Sequence, residues 1–338
     1  MWKELARRTI DGQPPTRDEA LSVLRSSDDD LLAVLEAAFT VRLAFWGRGV
    51  NLHVLRNAKS GICRENCAFC SQAAGAYSGV DRYGMQSVES LVEGALDAHR
   101  TGAVKYCMVT ATRGPSASDL DTVCEAVRRI KTKVDISICV SLGLLTREEA
   151  ERLRAAGVDR FNHNLETSSR YYPEVCQTHT WEERVETIRH VKAAGMEACC
   201  GGIVGMGETE DDRVGLAFAL RELEVESIPV NFLDPRPGTP LEHLERIAPR
   251  DGLRALCMFR FVNPVRDIRV AGGREVCLRS LQPLALYPAT SMFTDGYLTT
   301  GGQAVDSDRR MIEDAGFYIR SMIHEHEQDE ATAASSSA

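Results

Sequence analysis

Three stretches of this chain follow one order: an amphipathic helix, a small residue followed by glycine, then a short apolar strand. They are Asp97-Ala-His-Arg-Thr-Gly-Ala-Val-Lys-Tyr-Cys107, Glu151-Arg-Leu-Arg-Ala-Ala-Gly-Val-Asp-Arg-Phe-Asn162 and His190-Val-Lys-Ala-Ala-Gly-Met-Glu-Ala-Cys199. Gly102, Gly157 and Gly195 sit where a helix end wants a left-handed residue. Helix starts are marked as well. Thr146-Arg-Glu-Glu149 and Thr180-Trp-Glu-Glu183 are capping boxes, in which side-chain oxygens satisfy N–H groups the helix leaves open. Strands alternating with helices of this length build βαβ units and a parallel sheet. Strands are expected near 50–55, 104–109, 136–141, 158–165, 197–204, 227–233, 268–271 and 291–297. Eight such units predict an α/β fold, a (β/α)8 barrel of the TIM type, with chemistry at the C-terminal strand ends. A doubly wound open sheet is the alternative. Residues 1–45 read as an added N-terminal helical segment, with Thr16-Arg-Asp-Glu19 as its cap. The barrel is expected over 46–320, and 321–338, ending Ser-Ser-Ser-Ala, has the composition of a disordered tail.

The 338 residues are 43% hydrophobic and 26% charged, enough for one large core. A net charge of −9 argues against nucleic acid or a membrane surface as partner. Met-Trp-Lys-Glu-Leu-Ala-Arg-Arg at the N-terminus has no apolar signal core, and no long apolar run follows, so a cytoplasmic location is expected. Eleven cysteines are too sparse for a disulfide scaffold and point to metal or redox chemistry.

Cys63, Cys67 and Cys70 lie in Gly61-Ile-Cys-Arg-Glu-Asn-Cys-Ala-Phe-Cys-Ser-Gln72, a C-x3-C-x2-C loop with no fourth cysteine nearby. A [4Fe–4S] cluster usually takes four thiolates. Three in one loop would leave one iron open to hold a small molecule and pass it an electron. Zinc is the competing reading, but structural zinc normally takes two ligand pairs, and no second C-x2-C or H-x3-H pair exists here.

Cys107, Cys139 and Cys199 each fall in a separate expected strand, near its C-terminal end. A buried free cysteine is common as a small hydrophobe, yet three placed alike on different strands point to a second metal site. Arg269 would enter the same lumen, where its charge needs a partner; three thiolates provide one. Cys124, Cys176, Cys200, Cys257 and Cys277 show no such placement and read as structural. In Phe161-Asn-His-Asn-Leu-Glu166, alternation puts Asn162, Asn164 and Glu166 on one face. Two amides and a carboxylate suit a neutral polar substrate and a ribose diol; a strand end capped by loop hydrogen bonds is the plainer reading. Asn231, in Ile228-Pro-Val-Asn-Phe-Leu, invites the same two readings. Gly201-Gly-Ile-Val-Gly-Met-Gly-Glu208, which contains Ile203, would let backbone approach a flat adenine. Asp234-Pro-Arg-Pro-Gly-Thr-Pro240 is a rigid loop that either lines the site mouth or simply turns the chain.

Taken together, these motifs make the chain closely resemble the biotin synthase family of the radical S-adenosylmethionine superfamily. A three-cysteine loop with Phe69 before its last Cys marks the superfamily. Asn57-Ala-Lys-Ser-Gly61, Tyr106-Cys107, Phe161-Asn-His-Asn-Leu-Glu-Thr167, Cys199-Cys-Gly-Gly-Ile-Val-Gly205, Ile228-Pro-Val-Asn-Phe-Leu233, Arg269-Val-Ala-Gly-Gly-Arg-Glu275 and Tyr297-Leu-Thr-Thr300 follow the family's order to about residue 318. The resemblance implies that Cys63, Cys67 and Cys70 hold a [4Fe–4S] cluster that binds S-adenosylmethionine. It implies that Cys107, Cys139, Cys199 and Arg269 hold a [2Fe–2S] cluster. Asn164, Glu166 and Ile203 would contact S-adenosylmethionine; Asn162, Asn164 and Asn231 would contact dethiobiotin. The implied reaction is radical insertion of sulfur from the second cluster into dethiobiotin, with no side chain as acid or base. A flavodoxin or ferredoxin as electron donor and a homodimer are further implications. Another barrel-type radical enzyme, a maturase or mutase relative, is the rival reading.

Overall fold

The structure is a computed structural model that describes residues 1–299 and 301–320; the tail expected at 321–338 lies outside the described residues. Each glycine expected to end a helix has the backbone that such an end requires, with φ of +72° at Gly102, +102° at Gly157 and +78° at Gly195. The capping boxes at Thr16, Thr146 and Thr180 all form, and Thr209 with Asp212 adds a fourth. Each such cap contributes about 1 kcal/mol.

Three helices come first: α1 (Trp2–Ile10), α2 (Arg17–Leu24) and α3 (Leu31–Trp46). Among the described residues ten strands follow, all paired in parallel: β1 (Gly49–Lys59), β2 (Lys105–Thr110), β3 (Ser137–Ser141), β4 (Arg160–Asn162), β5 (Glu197–Cys199), β6 (Gly202–Val204), β7 (Ser227–Phe232), β8 (Asp267–Val270), β9 (Ser291–Phe293) and β10 (Tyr318–Arg320). They run in order around a ring that closes between β9 and β1, with β5 and β6 sharing the fifth position. That is an eight-stranded (β/α)8 barrel. The intervening helices are α4 (Val88–Arg100), α5 (Ala117–Lys131), α6 (Arg147–Ala156), α7 (Tyr172–Val175), α8 (Trp181–Ala193), α9 (Glu210–Glu222), α10 (Pro249–Val262), α11 (Arg274–Leu278), α12 (Gln282–Ala285) and α13 (Val305–Asp314). Helices α2 and α3 pack on α10, and their apolar residues join the same core as the barrel.

Three strand expectations differ from the structure. The fifth strand is broken rather than continuous over 197–204. A Cβ on Gly201 would sit 1.9 Å from the Pro229 carbonyl, and one on Gly202 would sit 2.3 Å from that of Glu166. These two glycines let the chain cross close to its own neighbours, so at Gly201 and Gly202 the close approach is made by protein backbone. The fourth strand stops at Asn162, because Glu166 turns left-handed (φ 66°) to bridge Gly202. The eighth ends at Phe293, ahead of left-handed Asp295 and Leu298. One short strand, β10, was not expected and pairs with the start of β1.

Candidate active site

Residues 60–86 leave β1 as a loop without regular structure beyond a bridge from Ser60 to Tyr83. Its shape is set by internal bonds. Gln72 Oε1 accepts from Ser60 Oγ and from the Gly61 N–H, each at 3.0 Å. Ala68 donates to the Val175 carbonyl and Ala74 to that of Glu65. The three thiols of Cys63, Cys67 and Cys70 are thereby turned toward the barrel mouth. Burial raises the thiols of Cys63 and Cys70, the latter to about 11. A nearby cation would reverse that push, since it favours thiolate.

Deeper in the lumen, register brings the strand cysteines together. Cys107 pairs with Cys139, and Asn162 pairs with Cys199. Cys107 is the third of six residues in β2 and Cys139 the third of five in β3, so both lie mid-strand rather than near the strand ends. Arg269 reaches over from β8, its Nη1 3.5 Å from Cys199 Sγ. Its charge is met by Asp267, 3.3 Å from Nη2, and Ser227 Oγ accepts from the same nitrogen at 2.8 Å. Among the described residues, the buried Nε of Arg269 has no hydrogen-bond partner. Beneath lies a buried polar floor of His53, Lys105, Arg160 and Asp267. Burial keeps His53 well below the usual imidazole range.

Between the two thiol sets runs a chain of amides. Asn162 Nδ2 donates to the Cys199 carbonyl and lies 3.3 Å from its sulfur. Asn164 Oδ1 accepts from the Gly201 N–H, and Asn164 Nδ2 is 3.4 Å from Glu166. Burial raises the Glu166 carboxyl, outweighing the attraction of Arg184 at 3.5 Å. Asn231 is largely used by the fold: its Oδ1 accepts from Gly272 N–H and Tyr297 Oη, and its Nδ2 donates to the Gly202 carbonyl. Ile203 lines the same space.

One cavity of about 470 Å³ is lined by Cys63, Cys67, Cys70, Cys107, Cys139, Asn162, Asn164, Glu166, Ile203, Asn231 and Arg269; Cys199 lies just beneath. The loop with Asp234 and Arg236 does line its mouth, and the Gly238 carbonyl accepts from Tyr77 N–H. Cys200 points instead into the helix-side core.

Sequence reasoning missed several neighbours. Arg184 is buried under the loop, bonded to Tyr172 Oη at 2.6 Å and within 4.0 Å of Cys67 Sγ. Glu65 and His179 also line the cavity. Cys176, read as structural, has its Sγ 3.7 Å from that of Cys67.

Residues 58–220 match the Radical SAM superfamily, and residues 229–318 match the Biotin and Thiamin Synthesis associated domain. A biotin synthase of Salinibacter ruber is 57% identical over 94% of this chain and 88% of the relative. One from Halalkalibacterium halodurans is 47% identical over 95% and 96%. Among solved structures, methylornithine synthase superposes with a TM-score of 0.84 at 19% identity, covering 95% of this chain and 99% of the other. The hydrogenase maturase of Carboxydothermus hydrogenoformans gives 0.80 at 17%, covering 95% and 79%. Those two show the barrel alone; the identity to the curated relatives shows more, and the chain belongs to the biotin synthase family of the radical S-adenosylmethionine superfamily.

Proposed function

We propose that this chain inserts sulfur into dethiobiotin to form biotin, as its family membership and one observation support. A single cavity joins the three thiols at the barrel mouth to Cys107, Cys139 and Arg269 in the lumen, and Arg269 Nη1 in turn lies 3.5 Å from Cys199 Sγ. The donor sets fit the cofactors of the family. Three thiols on one loop suit a [4Fe–4S] cluster with one iron free for S-adenosylmethionine. The lumen set suits a [2Fe–2S] cluster: register sets Cys107 beside Cys139, Arg269 reaches Cys199, and among the described residues the buried Arg269 Nε has no partner. When bound, the first cluster and S-adenosylmethionine supply hydrogen abstraction from unactivated carbon, and the second supplies sulfur.

Cys63, Cys67 and Cys70 hold the first group, and Cys107, Cys139, Cys199 and Arg269 hold the second. Asn164 and Glu166 orient S-adenosylmethionine, with Ile203 as an apolar wall. Asn162 and Asn164 meet the ureido group of dethiobiotin, their amides offering both donors and acceptors. Asn231 has one Nδ2 hydrogen beyond its bond to Gly202, which gives it a weaker grip. The protein's own contribution is placement and exclusion of water, since no side chain moves a proton in the bond-breaking step. We assign a small electron-transfer protein, a flavodoxin or ferredoxin, as donor, a homodimer as the assembly and the cytoplasm as the setting. Among the described residues no helix is long and apolar enough to cross a membrane.

The test is anaerobic reconstitution of wild type and Cys139→Ala, with Mössbauer spectra and a dethiobiotin assay. Wild type should show both cluster types and form biotin. The variant should keep the [4Fe–4S] signal and cleavage of S-adenosylmethionine while losing the [2Fe–2S] signal and biotin. A wild type that only ever shows [4Fe–4S] would refute the reading.

A further inference from the structure

Cys67 Sγ lies 3.7 Å from Cys176 Sγ, and Cys176 Sγ lies 3.3 Å from His179 Nδ1. The three ligand atoms all fall within 4.8 Å of one another. These are separations of donors that share one ion. A tetrahedral metal with bonds of about 2.3 Å to sulfur and 2.05 Å to nitrogen sets two thiolates about 3.75 Å apart and a thiolate and imidazole about 3.6 Å apart. Thiolates on different irons of a cubane stand much farther apart. The site is also built. Cys67, Cys176 and His179 are exposed by 8%, 4% and 6%. Glu65 contacts the same nitrogen, His179 Nδ1, and its carboxylate is the nearest candidate for a fourth ligand. Asn66 Oδ1 accepts from the N–H groups of Gln177 and Thr178, which holds the Cys176–His179 turn against the cysteine loop.

We propose that Cys67, Cys176 and His179 form a mononuclear site for a thiophilic divalent cation, ferrous iron or zinc, in the protein before its loop cluster is assembled. Two thiols and a neutral imidazole give the soft, mixed donor set such ions prefer. One dication enters as two thiol protons leave, so the buried charge does not change. Cys67 serves either this ion or the cubane. The site therefore competes with cluster assembly: iron held there is already in the loop, and zinc held there blocks it.

The first test does not depend on the cluster assignment. Full-length, metal-free protein carrying Cys63→Ala and Cys70→Ala, in a background whose lumen thiols Cys107, Cys139 and Cys199 are already replaced by alanine, is titrated with Co²⁺ alone under argon. It should gain one equivalent with thiolate charge-transfer and tetrahedral d–d bands. Adding Cys176→Val should remove that equivalent, and adding His179→Gln should weaken binding at least tenfold, with circular dichroism confirming the fold of each. The site is refuted if this parent variant binds no such equivalent, or if Cys176→Val leaves it in place. The second test is reconstitution of wild type with Fe²⁺ and sulfide after one equivalent of Zn²⁺. Cubane formation, read by absorbance and Mössbauer, should slow in wild type and not in Cys176→Val; equal slowing in both would overturn the competition while leaving the sulfur-insertion reading untouched.

Discussion

Asp267 is the carboxylate on which the lumen floor depends, and Asp267→Asn is the perturbation that measures it. Its Oδ2 lies 3.3 Å from Arg269 Nη2 and 3.6 Å from Arg160 Nη1. Ser227 donates to Oδ2 at 2.8 Å, while Thr290 and Ser291 donate to Oδ1 at 2.8 and 2.6 Å. The cations hold the carboxyl far below the usual range despite burial. Asparagine keeps the shape, and the hydroxyls can rotate to meet an amide; what vanishes is the charge. At an effective dielectric of about 20, a charge pair at 3.3 Å is worth about 5 kcal/mol. Measured losses on removing one partner of a buried pair run to about 3–5 kcal/mol, and that is the expected loss of unfolding free energy. Equilibrium urea unfolding of the metal-free variant, followed by circular dichroism, reads it at pH 7. The stability from Asp267 comes from a depressed group, so it is present above the unfolded carboxylate value and fades only in strong acid. A variant within about 1 kcal/mol of wild type would refute the electrostatic account, because that is the range of exposed pairs.

Glu166→Gln should stabilise the metal-free protein increasingly as pH rises above 4.5, the ordinary carboxyl value, since a raised folded value costs stability over the window between the two; a difference independent of pH in urea titrations would refute this. Gly202→Ala drives a Cβ to 2.3 Å from a backbone carbonyl, so a loss of at least about 1–3 kcal/mol is expected by thermal unfolding, and an unchanged melting temperature would show that the two strands can separate freely. Cys200→Ser should leave both cluster signals intact, since the side chain sits in the apolar core; loss of either Mössbauer signal would mean that Cys200 is a ligand.

What was legible in the sequence was local. A Thr followed three residues later by Glu, or a glycine after a helical run, acts within one turn, and Thr146, Thr180, Gly157 and Gly195 behave as read. The lumen set was legible in kind because each cysteine occupies an apolar strand, although Cys107 and Cys139 lie a layer deeper than expected. Register between strands was not legible, and with it went the meeting of Asp267, Arg160 and Arg269. The break in the fifth strand depends on the carbonyls of Pro229 and Glu166, which no local pattern announces. Cys176 meets Cys67 across 109 positions. Its C-x-x-H spacing to His179 was the one available signal, and a single such pair is too common to act on.

The closed floor of the barrel has a consequence for traffic. His53, Lys105, Arg160 and Asp267 are each at most 7% exposed, so in the proposed reaction whatever is consumed at Cys107 and Cys139 would be replaced from above. In the proposed reaction, dethiobiotin lies in that same shaft. The molecule is then loaded from one end only, and resupply of iron and sulfide has to wait until product has left. Saturating dethiobiotin should accordingly slow the stripping of lumen iron by a chelator; equal rates with and without it would mean that a second door exists. In the proposed reaction, the emptying of the shaft would then set the pace of turnover.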